Sequence, residues 1–446
     1  MTSTKSEFSL RYLLFISFIA AMGGYLFGFD FAVISGALPF LKTQFGLDEY
    51  WEGFATASLA FGCIIGCLTA GKIAEVKGRR MALLIAAGIF FLSSVAMAVS
   101  SQLSFFIAAR FLAGIGVGMA SVVSPMFIAE IAPAPVRGKM VAVNQLTIVT
   151  GILVTNLVNY SLSDNGADAW RWMFGLGTVP SALFLAGVLF LPESPRWLVS
   201  RNRTEEARKI LLKIGDTHYA NGLIRSIEES LANTHKPKYS DLLQKAVLPA
   251  VLVGIGLAVF QQFCGINVVF NFTTSIFQTI GFSQEDQLKQ TVFIGIVNLL
   301  FTLLAMWQVD KLGRKPLMLF GAIGLAVLYI LSALFLQQKS AHAAWFLLAA
   351  IGTYAMSIAP VTWVLISEIF PNKIRGIGTS IAVVALWMAY ALLVFTFPIL
   401  AQKLGAYTPF YLYAGICLAG YLFIRLKVKE TKGKTLEQVE ASFVPH

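Results

Sequence analysis

The chain has 446 residues, of which 57% are hydrophobic and only 13% charged. A soluble globule of this length needs far more polar surface, so the bilayer is the main solvent and neither a soluble enzyme nor a nucleic-acid-binding domain fits the whole chain. The excess of 34 Lys and Arg over 23 Asp and Glu, a net charge of +11, then has to be read as a statement about topology and not about an acidic partner.

Apolar stretches long enough to cross a core of ~30 Å at ~1.5 Å per residue begin near Tyr12, Phe54, Met81, Ser104, Met140 and Trp172, and again near Ala246, Lys289, Pro316, Ala343, Ile377 and Tyr407. All twelve are expected to be helices, because a lipid-facing backbone must satisfy its own hydrogen bonds and each stretch is about twice as long as a barrel strand. The first lacks a small-residue cleavage site and is longer than a signal-peptide core, so no cleaved targeting segment is expected. Of the 34 Lys and Arg, 28 fall in the termini and the even-to-odd connections, five in the opposite connections and Arg110 inside a span. That asymmetry places both termini in the cytoplasm of a multi-pass cell-membrane protein.

Taken in chain order, the first charge inside the membrane is Asp30, 18 residues into the first span and roughly 27 Å along it. After the second span comes the basic loop "GKIAEVKGRR", which carries Arg79 and Arg80. The fourth span holds Arg110, roughly 9 Å from its start, and then "GIGVG", whose small residues suit close helix packing better than a nucleotide loop. It ends at Glu130 in "EIAPAPVRG", a phrase written again as "EIFPNKIRG" from Glu368. A carboxylate at a helix C-terminus opposes the dipole, so Glu130 needs a cation nearby. Candidates on the same side are Arg137, Arg375, the basic clusters Arg79–Arg80 and Arg314–Lys315, with Glu193, Arg196 and Glu430 beside them. Two readings stand: fixed charges anchoring helix ends, or a cytosolic gate of ion pairs clamping the two halves together.

The repetition is general. "GRR" at 78 and "GRK" at 313, "PES" at 192 and "KET" at 429, and the two nine-residue phrases recur at offsets of 235 to 238. The sequence therefore predicts an all-α membrane protein of two similar six-helix halves, 1–191 and 246–426. A polar linker at 192–245 with short cytosolic helices joins them, and a tail follows at 427–446. Cys63, Cys67, Cys264 and Cys417 sit inside apolar spans without metal-ligand spacing, so no disulfide framework, metal site or cofactor is expected.

The remaining polar residues in the spans are mostly amides: Asn144, Gln145, Asn156, Gln261, Gln262, Asn267, Asn271 and Asn298. Amides donate and accept, as a neutral polyol requires, whereas a charged substrate would call for fixed counter-charges. Interhelical bonding is the alternative for each one. Gln261, Gln262 and Asn267 cannot share one face of a straight helix, so joint ligation needs a break, and Gly265 sits where one can form.

At this point the motifs carry a resemblance. "GKIAEVKGRR" resembles the loop motif of the major facilitator superfamily, and "RFLAGIGVG", "PESPRWL", "QQFCGIN", "DKLGRK" and "ETKG" together resemble its sugar porters along nearly the whole chain. The resemblance implies the major facilitator fold, and sugar contacts at Gln145, Gln261, Gln262, Asn267, Asn298, Trp363 and Trp387. It also implies a proton site at Asp30, paired with Arg110, because the proton-coupled porters have Asp there and the facilitators commonly Asn. Pro360 and Pro398 are expected to kink the tenth and eleventh spans.

The chain departs from the pattern at Glu75 and Lys429 in the loops. It also departs at Asn271–Phe272, where a Tyr pair is common, and at Leu386, where an amide is common. The functional expectation is a monomeric transporter for a neutral hexose or pentose that moves with a proton by alternating access. A facilitator without ion coupling and a sugar sensor are the alternatives.

Overall fold

In the computed structural model, residues 8–133, 135–232, 239–245, 247–371 and 374–432 are described. Part of the expected linker (233–238), most of the expected tail (433–446), residues 1–7, Ala134 and Ala246, and residues 372–373 of the repeated phrase lie outside them. Twelve helices are long and apolar enough to span a bilayer. Six precede the linker: Leu10–Phe45, Glu49–Lys77, Arg79–Ala98, Leu103–Ile131, Arg137–Ser161 and Gly166–Phe190. Six follow it: Leu248–Gln278, Gln284–Val309, Arg314–Gln337, Ala343–Ile369, Arg375–Leu404 and Thr408–Lys427. The starts agree closely with those expected from hydropathy, the largest difference being Gly166 against Trp172. No strand occurs among the described residues.

Polar caps explain several boundaries. Asp48 accepts the Trp51 N–H at 2.8 Å to open the second span, and Ser283 accepts that of Asp286 at 3.2 Å to open the eighth. In the linker, Ser194 followed by Pro195 starts a short helix, Pro195–Ser200, and two more follow at Thr204–Leu211 and Thr217–Ala232. These helices belong with the first half. Trp197 donates its indole N–H to the Glu75 carbonyl at 2.8 Å, and the Ser9 N–H bonds the Ile214 carbonyl at 2.9 Å.

The halves repeat each other in packing as well as in sequence. Spans 1 and 5, 2 and 4, 3 and 4, and 3 and 6 are neighbours in the first half; 7 and 11, 8 and 10, 9 and 10, and 9 and 12 are neighbours in the second. The halves meet through spans 2 and 11, 5 and 8, and 1 and 7. Exchanging the halves maps this set of contacts onto itself, as a pseudo-two-fold axis requires.

Three spans are interrupted among the described residues; the sixth pauses at 176–177, between Ala169–Gly175 and Thr178–Phe190. The seventh divides into Leu248–Phe263 and Ile266–Gln278 at Gly265, whose φ of +86° is left-handed backbone that only glycine adopts freely. The tenth, which Pro360 is expected to kink, divides into Ala343–Met356 and Ile358–Ile369 at Ser357 (φ −128°, ψ −84°), one turn before that proline. Proline offers no N–H to the carbonyl four residues earlier and crowds it, so the chain turns at the junction before the ring. Pro398 lies inside the single helix Arg375–Leu404.

The "GIGVG" stretch does what small residues do in lipid. A Cβ on Gly114 or Gly118 would collide with the backbone carbonyls of Leu59 and Cys63 on the second span, and one on Gly116 would come within 2.9 Å of the Ala86 carbonyl on the third. Replacing Gly118 by Leu is expected to force spans 2 and 4 apart at a cost of about 1–3 kcal/mol or more. A fall in melting midpoint in detergent would show it; an unchanged midpoint would mean that the spans do not pack this closely.

Candidate functional site

The centre of the bundle is built around the break at Gly265. Because the helix stops and restarts there, Gln261 (2% exposed), Gln262 and Asn267 are brought together although no straight helix would do so. Asn267 donates to the Gln262 side-chain carbonyl, Gln262 lies 3.5 Å from Gln261, and Gln261 donates to the Ala359 carbonyl of the tenth span at 3.2 Å. Gln145 on the fifth span is half-buried and Asn298 on the eighth is buried; neither amide has a protein hydrogen-bond partner among the described residues. A free amide on each half and a linked set at the break form a surface of donors and acceptors without net charge.

The two tryptophans differ. Trp387 is buried, 5.6 Å from Phe27 of the first span and 5.7 Å from Tyr390. Trp363 is 43% exposed. Its segment, Ile358–Ile369, packs on spans 7, 8, 9 and 11 of its own half.

Asp30 and Arg110 meet, as their burial demands. The contact is a single one, Nη1 to Oδ1 at 3.4 Å, with both side chains at 0% exposure. Among the described residues, Oδ2 of Asp30 and Nε and Nη2 of Arg110 have no hydrogen-bond partner, although the guanidinium lies 5.6 Å over the Phe174 ring. Such a pair is costly: each ion has lost its water and only part of its hydrogen-bonding capacity is used.

At the face that carries the basic loops, the repeated phrase explains itself. Arg79 grips Glu130 with two bonds, Nη2 to Oε1 at 2.7 Å and Nε to Oε2 at 2.9 Å, and Ser194 donates to the same carboxylate. Glu193 accepts the N–H groups of Arg79 (2.8 Å) and Arg80 (3.2 Å) at the start of the third span, where the helix dipole favours an anion. The second half repeats this: Arg314 pairs with Glu368 at 3.5 Å, and Glu430 accepts the N–H groups of Arg314 and Lys315 at 3.0 Å. Burial pushes the Glu430 carboxyl up, but four backbone N–H groups, from Lys432, Arg314, Lys315 and Thr431, outweigh it and hold the group below its ordinary value.

Other members of the expected gate cap helix ends. Arg137 donates to the Ala132 carbonyl (3.4 Å), Arg375 to that of Phe370 (3.2 Å), Arg80 to that of Val188 (3.2 Å) and Lys315 to that of Arg425 (2.9 Å). Arg196 reaches Ser230 at 3.5 Å. In this conformation these ion pairs each lie within one half, tying the loop between its second and third spans to the ends of its fourth and sixth. They make each half rigid.

What joins the halves lies toward the opposite face, and of its parts sequence reading singled out only Asn156. Thr274 donates to the Ser35 carbonyl at 2.7 Å, Asn156 to that of Thr291 at 2.7 Å, and Ser275 to Glu52 at 3.0 Å. Glu52, 3% exposed, also pairs with Lys42 at 2.8 Å. Its only sequence signal is a carboxylate just inside the second span, easily taken for part of the polar flank. A cavity of about 370 Å³ lies beside it, lined by Lys42, Glu52, Ser275 and Gln278 among others. The halves are thus closed toward the opposite face.

Comparisons with known proteins now bear on the geometry. The model of the family described as "Sugar (and other) transporter" matches residues 16–443. The chain belongs to this family. It is 38% identical to the D-xylose-proton symporter of Escherichia coli K12, covering 99% of this chain and 98% of that one. It is 39% identical to the glucose transport protein of a Synechocystis strain, covering 98% of both. Among solved structures, the xylose transporter XylE from E. coli in a partially occluded inward open conformation superposes with a TM-score of 0.86 at 37% identity, covering 95% of this chain and all of that one.

Replacing Glu52 by Gln weakens the bond to Ser275 and strips the charge that Lys42 meets. Losing about 1 kcal/mol from one of two states shifts their ratio several-fold. A reporter thiol at Phe395, whose backbone lies against Gly53 across the same seam, is expected to react faster with an impermeant maleimide added from that face. An unchanged rate would remove Glu52 from the closure.

Proposed function

We propose that this protein is a secondary transporter that takes up a neutral monosaccharide with a proton by alternating access, with the basic face and both termini in the cytoplasm. The observation that carries the reading is the buried, half-satisfied Asp30–Arg110 pair set in the same bundle as an uncharged cluster of amides. Pentose and hexose transporters among the relatives support the substrate class. The arginine-rich loops on one face support the orientation. A single chain contains all the parts, which fits a monomer.

In this account Gln145, Gln261, Gln262, Asn267 and Asn298 offer hydrogen bonds to sugar hydroxyls, and Trp387 and Trp363 offer ring faces to the C–H side of the sugar. The amides of the seventh span now bond one another, so a sugar replaces those contacts at little net cost. Asp30 carries the proton. While ionised it is drawn to Arg110, which ties the first span to the fourth; once protonated it loses most of that attraction, and the first span is free to move. Sugar and proton are coupled because reorientation with only one of them bound is slow.

Asp30→Asn keeps the size and removes the titration. It is expected to exchange labelled sugar across proteoliposomes at near wild-type rate, and to lose accumulation under an imposed pH gradient. Accumulation by the variant would sink the proton assignment, and a wild type that never accumulates any sugar would make the protein a facilitator.

Gln262→Ala leaves bound hydroxyls unpaired in a confined site, a cost of roughly 1–3 kcal/mol. Sugar affinity measured by calorimetry on purified protein is expected to fall by that amount. Wild-type affinity would return Gln262 to a packing role.

A further inference from the structure

One amide near the site is not free for a sugar. Asn271, 0% exposed, donates to the Asn267 backbone carbonyl at 2.6 Å, and its Oδ1 accepts the Tyr390 hydroxyl at 3.1 Å. Both ends of the amide are taken. Immediately after it the backbone leaves helical geometry, Phe272 having φ −119° and ψ 23°. The second part of the seventh span therefore bends where Tyr390 holds it.

Tyr390 is itself 1% exposed and touches two other elements of the mechanism. Its ring lies 5.7 Å from that of Phe31, which follows Asp30 directly in the first span. It also lies 5.7 Å from Trp387, one turn earlier on the eleventh span. Phe31 in turn meets Phe270 at 5.7 Å, one residue before Asn271. Aromatic rings packed at these separations move as bodies and do not deform, so a shift of the first span is passed on.

Resting on the symport reading above, we propose that Tyr390 is a positioning residue that couples the charge state of Asp30 to the shape of the broken seventh span, through its hydroxyl on Asn271. When Asp30 gains a proton and its hold on Arg110 weakens, the first span carries Phe31 with it. Tyr390 follows through ring contact, and its hydrogen bond draws the segment after Asn267 along. Occupancy of the amides pushes the same linkage the other way, as reciprocity between two coupled sites requires. Tyr390 touches neither proton nor sugar.

The test uses the full-length protein in proteoliposomes with D-xylose and D-glucose as probes. It compares wild type, Tyr390→Phe, Asn271→Leu and the double variant. Tyr390→Phe is expected to keep sugar exchange within about twofold, to lose accumulation under a pH gradient by about tenfold, and to flatten the pH profile of exchange. The double variant leaves no buried amide unpaired, so it is expected to regain the wild-type melting midpoint and not the accumulation; it carries the test if Tyr390→Phe folds poorly. Accumulation at the wild-type level in Tyr390→Phe, or its recovery in the double variant, would overturn the inference while leaving symport intact. A wild type that accumulates neither sugar would instead remove the symport reading, and this inference with it.

Discussion

An aspartate and an arginine face each other inside a lipid-embedded bundle, each fully buried, through one contact of 3.4 Å. An unpaired charge at mid-membrane costs about 2.5–3.5 kcal/mol on insertion scales, so each residue offsets part of the cost of burying the other. The attraction ties the first span to the fourth. It does so imperfectly: one carboxylate oxygen and two guanidinium nitrogens have no partner. A fully bonded pair would be a static strut. On the proposed reading, one held by a single contact is released by a proton, and a packing constraint becomes a switch.

The rest of the fold gives that switch something to move. Each half is locked internally at the basic face by the same grip, Arg79 on Glu130 and Arg314 on Glu368, with Glu193 and Glu430 seated on the start of the third and ninth spans. Those carboxylates meet N–H groups that a helix start leaves without partners, so the grip needs little from the membrane. Rigid halves can rock only about the surfaces where they meet. In this conformation they meet toward the opposite face, through Thr274 and Ser35, Asn156 and Thr291, and Glu52 with Ser275. The first span and the broken seventh lie on that seam, next to both Asp30 and the amides.

Much of this was legible in the sequence because its causes are local. Apolar length alone located twelve spans, and the offsets of repeated phrases gave two similar halves. The misplaced dipole at Glu130 demanded the cation that Arg79 supplies, and three amides on incompatible faces demanded the break at Gly265. What escaped was set by distant partners. Ser275 and Glu52 are 223 residues apart, and nothing in either neighbourhood announces the other. Tyr390 reads as one more apolar residue of the eleventh span until Asn271 is seen against it.

Elsewhere the residue type marked the place and left the geometry open. Pro360 marks a break that occurs at Ser357, since a proline disturbs the turn before it. The duplicated charges do form ion pairs, but charge sign alone does not say whether a pair closes a loop within one half or bridges two. Trp363 is 43% exposed while Trp387 is buried, a difference that residue type alone does not announce.

The central claim is that a proton moves with the sugar because Asp30 must shed its charge before the first span can move. It is tested most directly by adding sugar to one side of unbuffered proteoliposomes containing the wild-type protein, with no pH gradient imposed, and recording external pH. The account predicts alkalinisation that begins with sugar uptake, scales with it and is abolished by a protonophore. Sugar uptake at full rate with no change in external pH would contradict it.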